Sequence, residues 1–270
     1  IRAPLIIGVI DGGNLGWWIN IMVEKALLEE IRERGVLRIP VDFSPPPADG
    51  FPPEFYIDPK TGKEWGIAPI MGRLMADDLD VRLECVDMPW PEHIPALLSG
   101  KVDLLPKHVN TPKRALLVEF TNGRFMLYRV TALIQEKRLI SDKEDLNQEG
   151  KIISVWYGSS IKDIIKKEFP LATIKEFKFP WIEVQEGRAD ACLTDSVTKV
   201  FLQKHPGLKL MRDKEGKLII FSREYAQPGI KPGEQRFLSW INNWYQYYEA
   251  QGTINYWCNT WWESFMADRS

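Results

Sequence analysis

Few residues in this chain join a chemically useful side chain to a local pattern that would hold it in place. In Asn110-Thr-Pro-Lys-Arg114, a threonine before a proline reads as a helix N-cap followed by the first helical position, which sets Arg114 in the first turn. A guanidinium held there has the planar fork to grip a carboxylate with two hydrogen bonds. Read alone, the same arginine also suits a solvated surface. Thr194-Asp195-Ser196 puts Asp195 at the start of a helix directly after a strand, and capping by itself accounts for it. Gly158-Ser159-Ser160 follows a strand ending at Trp156 and opens another helix. The amides and hydroxyls of Ser159 and Ser160 could hold an anion there, or form a plain capping turn.

Catalytic chemistry finds little support. His93, His108 and His205 stand far apart without metal-ligand spacing, and neither a G-x-S-x-G elbow nor a G-x-x-x-x-G-K-[ST] loop occurs. Acidic pairs such as Asp77-Asp78 read as solvated helix ends. The expectation is a protein without a catalytic nucleophile or base, without a metal and without a cofactor. Cys85, Cys192 and Cys258 allow at most one disulfide and lack zinc-site spacing.

These residues need a scaffold, and the composition indicates which kind. With 270 residues, 44% hydrophobic, 27% charged and a net charge of −2, the chain has the balance of a soluble globular protein large enough for two cores, and nothing draws it to nucleic acid. No apolar stretch reaches 18 residues, and the opening residues 1–10 lack the charged start and small-residue cleavage pattern of a signal peptide. Because the chain begins with Ile1, the expectation is a processed N-terminus from which an export signal has already gone.

Along the chain, residues 4–10 read as a strand and 11–16 as a turn. Trp17, Trp18, Ile21, Met22, Ala26, Leu27, Leu28 and Ile31 then recur at helical spacing up to a stop at Gly35. Strands at 36–43, 81–86 and 102–105 alternate with helices at 70–79 and 92–99. A second series restarts at 151–155, with helices at 160–169, 181–186 and 196–204 between strands at 174–177 and 189–193. Leu98-Ser-Gly-Lys-Val-Asp-Leu-Leu105 and Gln185-Glu-Gly-Arg-Ala-Asp-Ala-Cys192 echo each other as helix, glycine, base, apolar residue, aspartate, strand, which suggests duplication. The tail from Gln235 carries aromatics at helical spacing. Among eleven tryptophans in all, a docking face explains this pattern better than an aromatic cage for a choline-like cation.

Arg34-Gly-Val-Leu-Arg-Ile-Pro-Val-Asp42, Trp90-Pro-Glu-His-Ile-Pro-Ala-Leu-Leu-Ser-Gly-Lys-Val-Asp103, Thr111-Pro-Lys-Arg-Ala115, Gly187-Arg-Ala-Asp-Ala-Cys-Leu-Thr-Asp195, Leu238-Ser-Trp-Ile-Asn-Asn-Trp244 and Gly252-Thr-Ile-Asn-Tyr-Trp257 occur in this order. Together they resemble family 3 extracellular solute-binding proteins, the amino-acid receptors of ABC importers. The resemblance implies an α/β, two-lobed type II periplasmic-binding-protein fold with the ligand cleft between the lobes. It also implies a small carboxylate-bearing ligand, a permease partner in the membrane, and a periplasmic or extracellular location. On this reading lobe 1 comprises residues 36–126 and 226–270 and lobe 2 residues 127–225. Residues 1–35, an extension with an amphipathic helix, lie outside the resemblance up to Glu33; packing on a lobe is the favoured expectation, beside a dimerisation helix or a membrane-proximal spacer.

The same resemblance implies that Arg114 binds the ligand α-carboxylate, Asp195 its α-ammonium, and Ser160 the carboxylate again. Trp90 would lie against the ligand side chain, Asp42 would face its pocket, and Phe51 would supply a pocket aromatic. Two departures stand out. Val109 removes the hydroxyl expected five residues before the arginine, and Lys107 adds a cation, which is unfavourable beside an ammonium site. Lys107 is therefore expected to meet a second ligand carboxylate or to pair with Asp195 across the cleft. Some members of this fold became dehydratases of cyclic carboxylates, for which Glu54, Lys107 or His108 could be recruited; others serve as sensor modules.

Overall fold

The computed structural model of the protein describes residues 25–43, 50–58, 60–195 and 197–267. The expected strand over 4–10, the turn over 11–16 and the first part of the tryptophan-led helix lie outside the described residues.

The first element of the described residues is α1 (Leu27–Arg34), whose Leu28 and Ile31 are buried. It ends where Gly35 turns to φ 69° and donates its N–H to the Ile31 carbonyl, a left-handed cap that glycine reaches without strain. Next come β1 (Val36–Val41), β2 (Gly50–Phe51), β3 (Phe55–Ile57), β4 (Glu64–Trp65), α2 (Ile67–Asp78) and β5 (Arg82–Asp87). A 3-10 turn at Trp90–Glu92 leads into α3 (His93–Leu98), β6 (Leu105–Val109), a second 3-10 turn at Arg114–Leu116, β7 (Glu119–Phe120) and the long β8 (Met126–Gln135). The following part holds β9 (Ile152–Trp156), α4 (Ile161–Glu168), β10 (Thr173–Phe177), α5 (Pro180–Gln185), β11 (Ala191–Thr194), α6 (Lys199–Lys204) and β12 (Leu208–Leu210). The chain closes with β13 (Ser222–Ile230), α7 (Gln235–Ala250), α8 (Thr253–Tyr256), a π turn at Trp257–Trp261 and α9 (Trp262–Phe265).

β1 pairs in parallel with β5 from Val36↔Arg82 to Val41↔Asp87, and β2, β3 and β4 form a small antiparallel sheet. The largest sheet runs β10-β9-β11-β8-β13-β6, with β12 against β8 and β7 against β13. β8 and β13 tie the two lobes together: β8 carries Met126 and Tyr128 into one core and Val130, Ala132 and Ile134 into another. In the second lobe neighbouring residues of β11 split between the two faces, Leu193 toward α4 and Cys192 toward α5, as strand alternation requires.

The tryptophan-rich tail packs rather than forming an external cage. Phe237, Ile241, Trp244 and Trp262 are buried in the first core with Leu37, Ile39, Met71 and Phe125. α2 begins three residues earlier than its apolar pattern predicts, because backbone carbonyls cap it: Ile67 N–H donates to the Pro53 carbonyl at 2.9 Å and Ala68 N–H to that of Glu54 at 3.1 Å. The strand expected at 102–105 instead starts at Leu105, since Asp103 is consumed by a junction described below. Cys85, Cys192 and Cys258 are all free thiols, and among the described residues no helix is long and apolar enough to cross a membrane.

Candidate functional site

A cleft of about 960 Å³, open solvent included, is lined by Asp42, Trp90, Lys107, Val109, Arg114, Ser159, Ser160 and Asp195. Eight of the nine residues singled out in the sequence therefore meet in one place. The ninth, Phe51, belongs to β2 by its backbone and its side chain lies outside what the structure describes; Phe55, four residues on, lines the cleft.

Arg114 opens a 3-10 turn rather than a full helix. As the Thr-Pro pattern suggests, Thr111 Oγ1 accepts the Arg114 N–H at 3.2 Å. The guanidinium donates Nη1–H to the Val109 carbonyl at 3.1 Å, so the residue that lacks the expected hydroxyl anchors the arginine through its backbone. Burial pulls the Arg114 guanidinium down from its ordinary range, and the carboxylates of Glu224 and Asp195 act against that pull. Glu224 is itself raised, first by burial and then by Asp195, with Arg114 opposing. Arg114 and Asp195 line the cleft together, and Glu224, which is not among its lining residues, adds its influence nearby.

Asp195 does not cap the helix that follows it. α6 starts at Lys199, and its cap is Thr198, whose Oγ1 accepts the Phe201 N–H at 3.0 Å. A hydroxyl three residues before a free amide does this work, which leaves Asp195 on the stretch between β11 and α6. Across from Arg114, Ser159 Oγ accepts the Ile161 N–H at 3.2 Å. Ser160 is the N-cap residue of α4 but makes no side-chain cap hydrogen bond.

Of the two partners expected for Lys107, Asp195 is not the one it meets. Its ammonium is paired with Glu54 on its own lobe and donates to the Tyr128 hydroxyl at 2.8 Å; Tyr128 in turn donates to Glu54 at 3.2 Å. The expected pairing with Asp195 gives way because Glu54 arrives on the turn between β2 and β3, beside the Lys107 side chain. Lys107 is only 2% exposed, so the cation is neutralised inside the protein. Its ammonium also lies 5.6, 5.4 and 6.0 Å from the ring centres of Phe55, Tyr128 and Trp262.

Asp42 is buried and accepts the Trp90 N–H at 2.8 Å, so it positions the indole. That indole stacks on His108 with centroids 4.4 Å apart and planes 5° from parallel. His108 is buried behind Trp90 and is not among the residues lining the cleft. Burial drives its imidazole well below the ordinary range, helped by His93, Arg114 and Lys107.

Sequence reasoning missed the opposite wall, where Trp156, Trp181 and Phe201 converge. The centroids of Trp156 and Trp181 are 5.2 Å apart, and those of Trp181 and Phe201 5.4 Å. Each is a single aromatic at a strand end or helix start, indistinguishable in sequence from core. Glu224 was missed because nothing local sets one glutamate on a strand apart from a solvated one; Glu54 entered only as a residue a dehydratase could recruit, and Phe55 was not singled out.

The profile of the bacterial extracellular solute-binding proteins, family 3, matches residues 47–264. The L-cystine-binding protein TcyJ of Escherichia coli K12 is 21% identical over 245 residues, covering 88% of this chain and 87% of that protein. Among solved structures, the ancestral amino acid-binding protein AncCDT-1, described as a precursor of cyclohexadienyl dehydratase, is 29% identical with a TM-score of 0.71. It covers 84% of this chain and 96% of the other. The cysteine-binding protein of Campylobacter jejuni, 20% identical over 91% of this chain and 96% of the other, has a TM-score of 0.73 and shares the two-lobed fold.

Proposed function

This chain belongs to the bacterial extracellular solute-binding proteins of family 3, and from that premise we propose that it captures a small solute of amino-acid type in the cleft and delivers it to the permease of an ABC importer. The observation that carries the reading is the shared cleft of Arg114 and Asp195. A guanidinium suits an α-carboxylate with two hydrogen bonds, and a carboxylate suits an α-ammonium. Ser159 and Ser160, at the start of α4, add donors to the carboxylate, and Trp90 packs against the ligand side chain.

Lobe 1 on this reading is residues 36–126 with 226–270 and lobe 2 is residues 127–225, closing over the ligand about β8 and β13. The protein works outside the cytoplasmic membrane. Turnover is not part of the proposal: Glu54 and Lys107, which a dehydratase would need as proton carriers, are tied to each other, and His108 sits behind Trp90. The relatives bind L-cystine, cysteine and, in AncCDT-1 and the arginine-bound ArgBP of T. maritima, cationic amino acids, which supports an amino-acid ligand here.

The test is a thermal-shift screen against amino acids, dicarboxylates and cyclic carboxylates. A ligand at 100 times its dissociation constant stabilises the folded state by about 2.7 kcal/mol. A hit abolished by Arg114→Ala is the expected result. No hit from any class, or a hit indifferent to Arg114→Ala, overturns the reading.

A further inference from the structure

The surroundings of Lys107 are those of a cation-binding site. A carboxylate from Glu54, a phenol oxygen from Tyr128 and the rings of Phe55, Tyr128 and Trp262 enclose its ammonium. A carboxylate with aromatic faces around it is the chemistry that recognises an alkylammonium or a guanidinium. Glu54, Phe55, Tyr128 and Lys107 itself also line the cleft. The box therefore opens on the space a ligand side chain would occupy, yet it is filled from within by a side chain of β6.

We propose that Lys107 is a resident cation that occupies the side-chain subsite of the cleft, so that the protein rejects ligands with a cationic side chain and accepts those with a neutral one. A second positive group brought to this point finds the Glu54 carboxylate already neutralised by Lys107 and the space between the rings filled. Specificity here comes from an occupant that denies the wrong ligand its partner as much as from contacts that attract the right one. The neutral Lys107–Glu54 pair offers no net charge to an acidic side chain either. The inference rests on the cleft being the ligand site, as proposed above.

The experiment compares the wild-type protein with Lys107→Ala, using L-arginine, L-lysine and the neutral L-norleucine as probes in thermal shift and titration calorimetry. Replacing the lysine by alanine leaves the Glu54 carboxylate, the Tyr128 hydroxyl and the three rings around a space the size of the lost propylammonium. The expected result is that wild type binds L-arginine and L-lysine at least tenfold more weakly than L-norleucine. Lys107→Ala gains at least tenfold for one of the two cations, and the gain disappears in Lys107→Ala/Glu54→Gln. Lys107→Gln keeps a donor toward Glu54 without the charge. It carries the test if the alanine variant does not fold, with the same direction expected.

A folded variant that gains nothing toward either cation overturns the proposal, as does a wild-type protein that binds L-arginine as well as L-norleucine. Failure of the underlying reading looks different: wild type then binds no amino acid at all, or binds one without needing Arg114.

Discussion

Asp103 and Arg38 are joined through backbone and side chain at once. Asp103 N–H donates to the Arg38 carbonyl at 3.0 Å, while the Asp103 carboxylate accepts the Arg38 N–H at 2.9 Å and its Nη2–H at 2.7 Å. The second lobe repeats the junction with Asp190 and Ile152. Asp190 N–H donates to the Ile152 carbonyl at 2.8 Å and its carboxylate accepts the Ile152 N–H at 2.9 Å. In both lobes the aspartate of the echoed segment pins the exit of a helix to a neighbouring strand, at Arg38 of β1 in one and at Ile152 of β9 in the other. The glycine before it, Gly100 or Gly187, turns through positive φ at 75° or 74° to allow this.

Asp103 is fully buried and also meets Arg34, so Asp103→Asn strands two guanidinium groups. A loss of about 3 kcal/mol in urea denaturation is expected. Asp190 is 15% exposed and paired with Arg138 and Lys151, and Asp190→Asn should cost less, about 1–2 kcal/mol. Near-equal stabilities of wild type and Asp103→Asn would contradict this account.

Gly66 sets the position of Glu54. It sits at φ 117°, and a Cβ there would lie 2.6 Å from the Glu54 carbonyl oxygen and 2.9 Å from Phe55 Cα, both backbone atoms that cannot swing aside. Gly66→Ala should therefore push the Glu54 turn away from α2 and away from Lys107, costing about 2 kcal/mol or more. A melting temperature within a degree of wild type would show that the turn has slack.

The buried histidines make stability depend on pH. Burial pulls His93 down to about 4, against opposing pulls from the Met88 carbonyl and Asp42, while its unfolded value is near 6.5. The folded state then binds fewer protons than the unfolded state below pH 6.5. Stability is intact above pH 6.5 and falls as pH drops from 6.5 toward 4, by on the order of 2 kcal/mol at pH 5 from His93 alone. Neither ring nitrogen of His108 has a hydrogen-bond partner among the described residues, so His108→Phe keeps the Trp90 stack and loses no bond. It should flatten the acid side of the stability profile; an unchanged slope would remove His108 from this account.

The three thiols should be inert in the native protein. Burial pushes Cys192 and Cys258 up to about 12 and raises Cys85 as well, which leaves almost no thiolate at pH 8. Ellman's reagent should find no fast-reacting thiol before denaturation and three after it. One rapid equivalent in the native state would identify a cysteine that opens locally.

The two-lobed α/β plan is legible along the chain, because alternating apolar runs separated by glycine turns are local signals. The sequence also marked the two aspartates as equivalent through the echoed segments, while their partners, Arg38 for Asp103 and Ile152 for Asp190, lie 65 and 38 residues away and emerge only in the fold. Arg114, Ser159 and Ser160 were legible for a like reason: a cap, a proline or a glycine fixes where each side chain starts. What Lys107 meets emerges only on folding. Glu54 lies 53 residues away on a separate turn and Tyr128 on a strand shared by both cores, so no local pattern links the three. The same holds for the wall of Trp156, Trp181 and Phe201, where aromatic residues read as core until the folded chain opens a cleft beside them. Long-range pairing is set by how the lobes fill their volume, and residue spacing along the chain carries no record of it.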